Sequence, residues 1–265
     1  TCSTFSTFIS NASIAPIIAY ALFGNYLPGG LAHRGYAFSQ VVDQLGFGTE
    51  GIYGIPTYVS STYIFLFILF GAFLEQAGMI RLFTDFAMGT VGHTKGGPAK
   101  VSVISSGLMG TINGSGVANV VTTGQFTIPL MKRFGYRADF AGGVEATSSM
   151  GGQIMPPVMG AAAFIMAETL NVPYVEVVKA ATIPALLYFA SAFWMVHLEA
   201  GRMGLHGLPK SECPDAWAAV RRGWHLILPL AALVWLLFSG YTPLFSGTVG
   251  LALTAVLILG TAVAA

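Results

Sequence analysis

Residues 111–125 read TINGSGVANVVTTGQ, at the centre of a charge-free run, 101–131, in a chain otherwise built to live in lipid. Glycines and hydrogen-bonding side chains weaken a membrane helix unless its freed backbone groups find partners. The way this stretch is satisfied decides the fold.

The surrounding composition sets the solvent. Hydrophobic residues make up 54% of the 265 and charged residues 9%, against roughly a quarter charged in ordinary soluble domains. Mean hydropathy is +0.71. The chain reads as an all-α integral membrane protein. A net charge of +1 without blocks of like charge gives no argument for nucleic acid. Cys2 and Cys213 have no disulfide or metal-ligand spacing. The start at Thr1 and the apolar run GTVGLALTAVLILGTAVAA up to Ala265 read as an excerpt of a longer polypeptide.

Crossing a bilayer takes about 20 mostly apolar residues. Residues 58–77, 179–198 and 244–265 meet that expectation, with 5–27 and 224–239 as further spans. Trp194, Trp217, Trp224 and Tyr241 near their ends suit interfacial belts. Residues 79–100 are amphipathic and mixed in charge, and 29–54 are polar and broken by GG, GFG and GIYG, so both read as connectors.

The run 101–131 is basic at both ends, with Arg81, Lys95 and Lys100 before it and Lys132, Arg133 and Arg137 after it. A single crossing would put one cluster on the wrong side of the membrane, whereas a segment that enters and returns keeps both in the cytoplasm. Split at Ser115-Gly116, it gives two arms of about 15 residues, each about 22 Å long and too short to cross. The expectation is a re-entrant hairpin, 101–131. Residues 138–170 then cross outward to the Asn171-Val172-Pro173 turn, and 179–198 return to a basic cytoplasmic loop, 201–223, with Arg202, Lys210, Arg221 and Arg222.

The hairpin tip Asn113-Gly114-Ser115-Gly116 offers tight reversal and small polar groups, continued by Asn119, Thr122 and Thr123. Hydroxyl, amide and carbonyl oxygens suit a hard cation, and a half-helix N-terminus favours an anion. The competing reading is packing alone, with Gly110 and Gly114 letting helices approach and the hydroxyls bonding between them. Gly151-Gly152-Gln153-Ile154-Met155-Pro156-Pro157 interrupts the next span, because two prolines remove two donors. The expected result is a broken helix, 138–150 followed by 158–170. Two neighbouring discontinuities are the pointer to a transporter's ion and substrate site.

Glu145, among small residues in AGGVEATSSM, is a candidate proton carrier or partner of a base in the protein, or a solvated group if it lies nearer the surface. Glu75 and Glu168, near helix ends, read as interfacial. Glu176 and Lys179 suit a local helix-face contact, and His197, His206 and His225 lack ligand partners. No nucleophile elbow, zinc signature or nucleotide loop is visible, so neither an enzyme nor ATP as the energy source is indicated. An ion gradient is the simpler source.

These stretches, GGPAKVSVISSGLMGTINGSGVANVVTTGQFTIPLMKRFGY, FAGGVEATSSMGGQIMPPVMGAAAFIMAE and FLFILFGAFLEQAG, resemble the large membrane subunit of tripartite ATP-independent periplasmic (TRAP) transporters. The likeness is greatest to TAXI-type permeases, in which the small and large membrane subunits are fused. It runs over nearly the whole chain but only the first of two inverted repeats, which implies about half of the transport machinery.

The resemblance implies an elevator transporter in the bacterial inner membrane. Residues 1–100 would be scaffold helices and connectors, 101–172 a transport-domain segment, and 173–265 further helices. It implies a periplasmic substrate-binding protein as partner, a small membrane subunit fused in the full chain, an organic acid as substrate, and no cofactor beyond a coupling ion. Asn113, Gly114, Ser115, Gly116 and Asn119 would be the first hairpin tip and Gly151 to Pro157 the neighbouring break, with sodium at Ser115 and Gly152. Other branches carry serine where this chain has Val158, and small or polar residues where it has Glu145, which leaves the coupling ion as sodium or proton. A symporter independent of a binding protein is the alternative, and a channel or scaffold a third reading.

Overall fold

The computed structural model describes residues 15–264, so much of the expected span 5–27 lies outside the described residues. Chain contacts divide the molecule after Tyr58. Up to that point the chain forms short helical pieces separated by turns at Gly29 and Gly35, both with positive φ, as expected of a polar connector. His33 Nε2 lies 2.8 Å from the Tyr20 carbonyl, and the Tyr20 hydroxyl donates to Leu31 O at 2.9 Å.

From Val59 on, ten helices serve the description: α1, Phe65–Gln76; α2, Met79–Val91; α3, Gly97–Asn113; α4, Gly116–Arg133; α5, Ala138–Met150; α6, Ala161–Leu170; α7, Tyr174–Arg202; α8, Ala216–Arg222; α9, Trp224–Phe238; and α10, Pro243–Ala264. No strand occurs among the described residues.

Two helices among these residues are long and apolar enough to cross a membrane, Ile55–Gln76, which ends in α1, and Tyr174–Arg202. A third span results if Lys210–Arg222 and Trp224–Phe238, bent by 60°, count as one. The expected span 244–265 falls on α10, of 22 residues. The expected span 224–239 is short by itself, because α9 has 15 residues and stops at Ser239-Gly240, where Gly240 turns left-handed with φ 88°.

Each helix of the hairpin region follows from its residues. In α2, Met79, Leu82, Phe83 and Ala87 are buried at helical spacing while Arg81 stays exposed. Pro98 sits in the first turn of α3, where its missing N–H costs nothing. In α3, 14 of 17 residues are buried, making it the central rod of this region. By contrast α4 buries one stripe of mostly small and polar residues, Gly116, Asn119, Thr123, Gly124, Thr127 and Met131. Small stripes of this kind let two backbones approach closely.

The two arms pack antiparallel. Ser106 and Thr123 hydroxyls meet at 3.2 Å, and Asn119 Nδ2 donates to Ser106 O at 2.8 Å. With 17 and 18 residues the arms run about 26 and 27 Å at 1.5 Å per residue. Reversal falls at Gly114-Ser115, one residue earlier than the sequence places it. Gly114 takes the left-handed conformation, φ 58°, and Ser115 is extended, accepting from Ala118 N–H through its side chain.

The second discontinuity is wider than expected. After α5 come a 3₁₀ turn, Gly151–Ile154, and extended chain at Met155, and helix resumes only at Ala161 rather than at Val158. Gly160 N–H donates to Gln153 O at 2.7 Å, closing the irregular segment. The Tyr174 hydroxyl donates to Pro157 O at 2.9 Å and accepts from Met159 N–H at 3.3 Å. These bonds hold Val158 and Met159 out of a helix. The Pro156–Pro157 peptide is cis. Asn171 caps α6 in the left-handed region, φ 52°, at the expected turn.

Candidate functional site

The hairpin tip and the broken helix meet through glycines. A Cβ on Gly114 would stand 2.5 Å from Met159 O, one on Gly110 2.4 Å from Gly152 Cα, and one on Gly116 2.5 Å from Met150 Sδ. None of these positions has room for a side chain. The GxxxG spacing therefore serves close approach, and the surface approached is the second break. A cavity of ≈ 260 Å³ opens here, lined by Asn113, Gly114, Ser115 and Gln153 on its polar side and by Phe67 and Phe164 among its apolar walls. Behind it Phe164 stacks on Phe67 at 5.2 Å and on Tyr174 at 4.4 Å.

Asn113 is fixed from outside the hairpin. Its Nδ2 donates to Glu75 Oε1 of α1 at 3.2 Å, and its Oδ1 accepts from Ser115 N–H at 3.3 Å. Glu75, expected to be merely interfacial, is thus half-buried against the tip. Sequence spacing could not reveal a partner 38 residues away. Glu168 accepts from the Tyr63 hydroxyl at 2.9 Å, and Lys179 pairs with Glu176 at 2.8 Å.

A second polar centre lies where both hairpin arms pack against α5. Glu145 is completely buried, so it is not a solvated group. Five hydroxyls reach its carboxylate. Ser102 donates to Oε2 at 2.7 Å, Ser149 to Oε1 at 2.9 Å and Ser106 to Oε1 at 3.2 Å. Thr123 also bonds Oε1 and Thr127 bonds Oε2. No ion pair to Glu145 occurs among the described residues. An unpaired buried charge costs several kcal/mol unless hydrogen bonds compensate it, and all five groups are of the kind that can.

Helical geometry assembles this cage. Ser102 and Ser106 lie one turn apart on α3, Thr123 and Thr127 one turn apart on α4, and Glu145 and Ser149 one turn apart on α5, so three faces converge. Of the six residues only Thr123 and Glu145 stood out in the sequence. The spacing of four between polar pairs on three successive segments was the signal for the rest.

Most of the residues singled out from sequence therefore fall into two groups. Asn113, Gly114, Ser115, Gly116, Gly152 and Gln153 lie at the contact of tip and break, beside the irregular chain carrying Pro156 and Pro157. Asn119 and Thr123 belong to the deeper centre, and Gly151 packs away from the tip, against Tyr188 and Phe189 of α7. Asn119 joins the two groups, since its Nδ2 would also stand 3.2 Å from a Cβ on Gly152. Thr122 joins neither, because its hydroxyl bonds back to Ala118 O and Asn119 O on the half-exposed side of α4.

Comparison with known proteins bears on this arrangement. Residues 5–264 match the family model described as "Tripartite ATP-independent periplasmic transporter, DctM component". The chain is 28% identical over 178 residues to the C4-dicarboxylate TRAP transporter large permease protein DctM of Pseudomonas aeruginosa, an alignment covering 67% of this chain and 41% of that protein. It is 29% identical over 178 residues to the sialic acid TRAP transporter large permease protein SiaM of Vibrio cholerae, with the same two coverages. With the 2,3-diketo-L-gulonate TRAP transporter large permease protein YiaN of Escherichia coli K12, identity is 25% over 184 residues, 69% of this chain and 43% of that protein. The chain thus spans less than half the length of these relatives.

Proposed function

The chain belongs to the DctM-component family of tripartite ATP-independent periplasmic transporters, and on that premise we propose that it forms one half of an ion-coupled permease importing a small organic acid. The observation that carries this reading is the direct contact of the two discontinuities, Gly110 on Gly152 and Gly114 on Met159. Broken helical elements that meet beside a small cavity with polar groups on one side are where transporters of this architecture hold substrate and ion.

In this reading the hairpin and the broken helix move together as a transport domain by elevator-type alternating access in the bacterial inner membrane. Substrate arrives from a soluble periplasmic binding protein, and a small membrane subunit, fused in TAXI-type permeases, completes the scaffold. The anionic group of the substrate faces the tip, where the N-terminus of α4 presents free backbone N–H groups. The coupling ion is sodium at Ser115 and Gly152, whose oxygens keep lone pairs beyond the N–H groups they accept, or a proton at Glu145.

The test is uptake of labelled organic acids, among them C4-dicarboxylates and sialic acid, by proteoliposomes of the full-length complex with its binding protein. Sodium and proton gradients are imposed separately. Accumulation that requires a gradient and the binding protein, and that falls in Ser115→Ala at normal membrane expression, supports the proposal. Uptake indifferent to both gradients sinks it, and uptake without the binding protein assigns the chain to an independent symporter.

A further inference from the structure

We propose that Glu145 and its cage of hydroxyls form a reversible proton-binding site, and that, where the permease reading holds, this site carries the coupling proton. The argument starts from donor counting. A carboxylate accepts only, whereas a carboxylic acid donates one hydrogen bond and still accepts others. A buried site that tolerates just one of these forms leaves a polar group unsatisfied in the other.

Here both forms are served. With Glu145 ionised, the five hydroxyls point their protons at it. With Glu145 protonated on Oε2, the new O–H donates to Thr127 Oγ1, and the Thr127 proton turns to Thr123 O, 3.0 Å away. With the proton on Oε1, Thr123 Oγ1 accepts, and its own proton turns to Asn119 O at 2.7 Å. Each rotation exchanges one hydrogen bond for another, so a proton added from water to the carboxylate neutralises it without orphaning a neighbour. Hydroxyls are suited to this, being both donors and acceptors.

Ser102 and Ser149 oxygens stand 2.7 and 2.9 Å from the carboxylate oxygens, within hydrogen-bond distance. Among the described residues no cluster of three or more His, Cys, Asp or Glu side chains gathers around Glu145 as a metal site would need.

Among the described residues no fixed charge pairs with Glu145. On α3, Lys100 is spent on the Thr94 hydroxyl at 3.2 Å and the Phe193 ring at 4.9 Å. Lys132 and Arg133 are exposed in the last turn of α4, and Asp139 at the start of α5 pairs with Arg137. On α7, Tyr188 donates to Thr147 O, and Glu176 and Glu199 pair with Lys179 and Arg202. His197 of α7 lies tilted against Trp194.

A cavity lies beside the cage. A cavity of ≈ 690 Å³ between α5 and α7 has Arg137, Asp139 and Glu199 among its polar walls and reaches Val144 and Ser148, which flank Glu145 along α5. Ser148 Oγ is buried without a protein partner, a free hydroxyl one turn from the carboxyl.

The test takes the proton as its own probe, through infrared difference spectra of the reconstituted full-length protein between acidic and alkaline buffer, with and without sodium. A protonated-carboxyl C=O band that is lost in Glu145→Gln, shifted in Thr127→Val and indifferent to sodium is the expected result. A band of unchanged intensity in Glu145→Gln, or one suppressed by sodium, overturns the proposal. Should Glu145→Gln fail to fold, an unshifted band in Thr127→Val is decisive against it. Uptake separates the two readings. Wild-type accumulation with no titrating Glu145 band removes the proton site and leaves the permease, whereas a titrating band in a protein that accumulates no organic acid under any gradient removes the permease and leaves the site.

Discussion

Gly110 of the first hairpin arm rests on Gly152 of the neighbouring break so closely that a methyl group on Gly110 would lie 2.4 Å from the Gly152 Cα. Backbone, not a flexible side chain, is the obstacle. Gly110→Ala should therefore destabilise the protein by about 1–3 kcal/mol, as overpacking does. Gly143→Ala, also helical but with nothing within 4 Å, should gain up to about 1 kcal/mol from helix propensity. Unfolding midpoints of the two variants in detergent should move in opposite directions, and equal shifts would remove the glycine contact from the account.

Glu75→Leu should cost about 1–3 kcal/mol, because it leaves the buried Asn113 amide without its acceptor. Glu75→Gln keeps an oxygen in place and should lie near the wild type. The same thermal scans decide this. If Leu and Gln behave alike, the bond from Asn113 to Glu75 has no energetic role.

Tyr174→Phe removes the hydroxyl that joins Pro157 O to Met159 N–H. The ring stack on Phe164 is kept, so the loss is confined to about 1–3 kcal/mol of unsatisfied backbone. Hydrogen exchange at the Met159 amide should accelerate, with little change within α7. An unchanged Met159 rate would show that the irregular segment is held by other means.

Ser115→Ala removes the N-cap of α4 and should cost about 0.5–2 kcal/mol, while Ser115→Thr should recover most of that. Comparing the two in uptake separates capping from ligation. If Thr restores stability and transport together, the cap is sufficient. If it restores only stability, the hydroxyl's position toward the cavity matters as well.

Both interruptions could be read from the residues alone, since glycine at 114 and paired prolines at 156 and 157 act through local backbone chemistry. Their exact extents could not. The break runs on to Gly160 because Tyr174, 17 residues beyond Pro157, occupies the backbone groups that helix would use. Glu145 drew notice as an acid in an apolar setting, but its partners are set by how three helices rotate against one another, a tertiary property. Ser102, Ser106 and Ser149 look in isolation like ordinary small residues of a helix interface. The Asn113 partner of Glu75 was hidden for the same reason: nearness to a helix end says nothing of what lies across from it.

The contrast between the arms, α3 buried nearly all round and α4 on one stripe, decides where the hairpin can be tagged. Val117 and Val121 on α4 are 70% and 58% exposed, one turn apart on the outward side, and either can be exchanged for cysteine bearing a dye without entering the packed stripe. Most of α3 offers no such place. Distance measurements on this hairpin are therefore best anchored on its second arm.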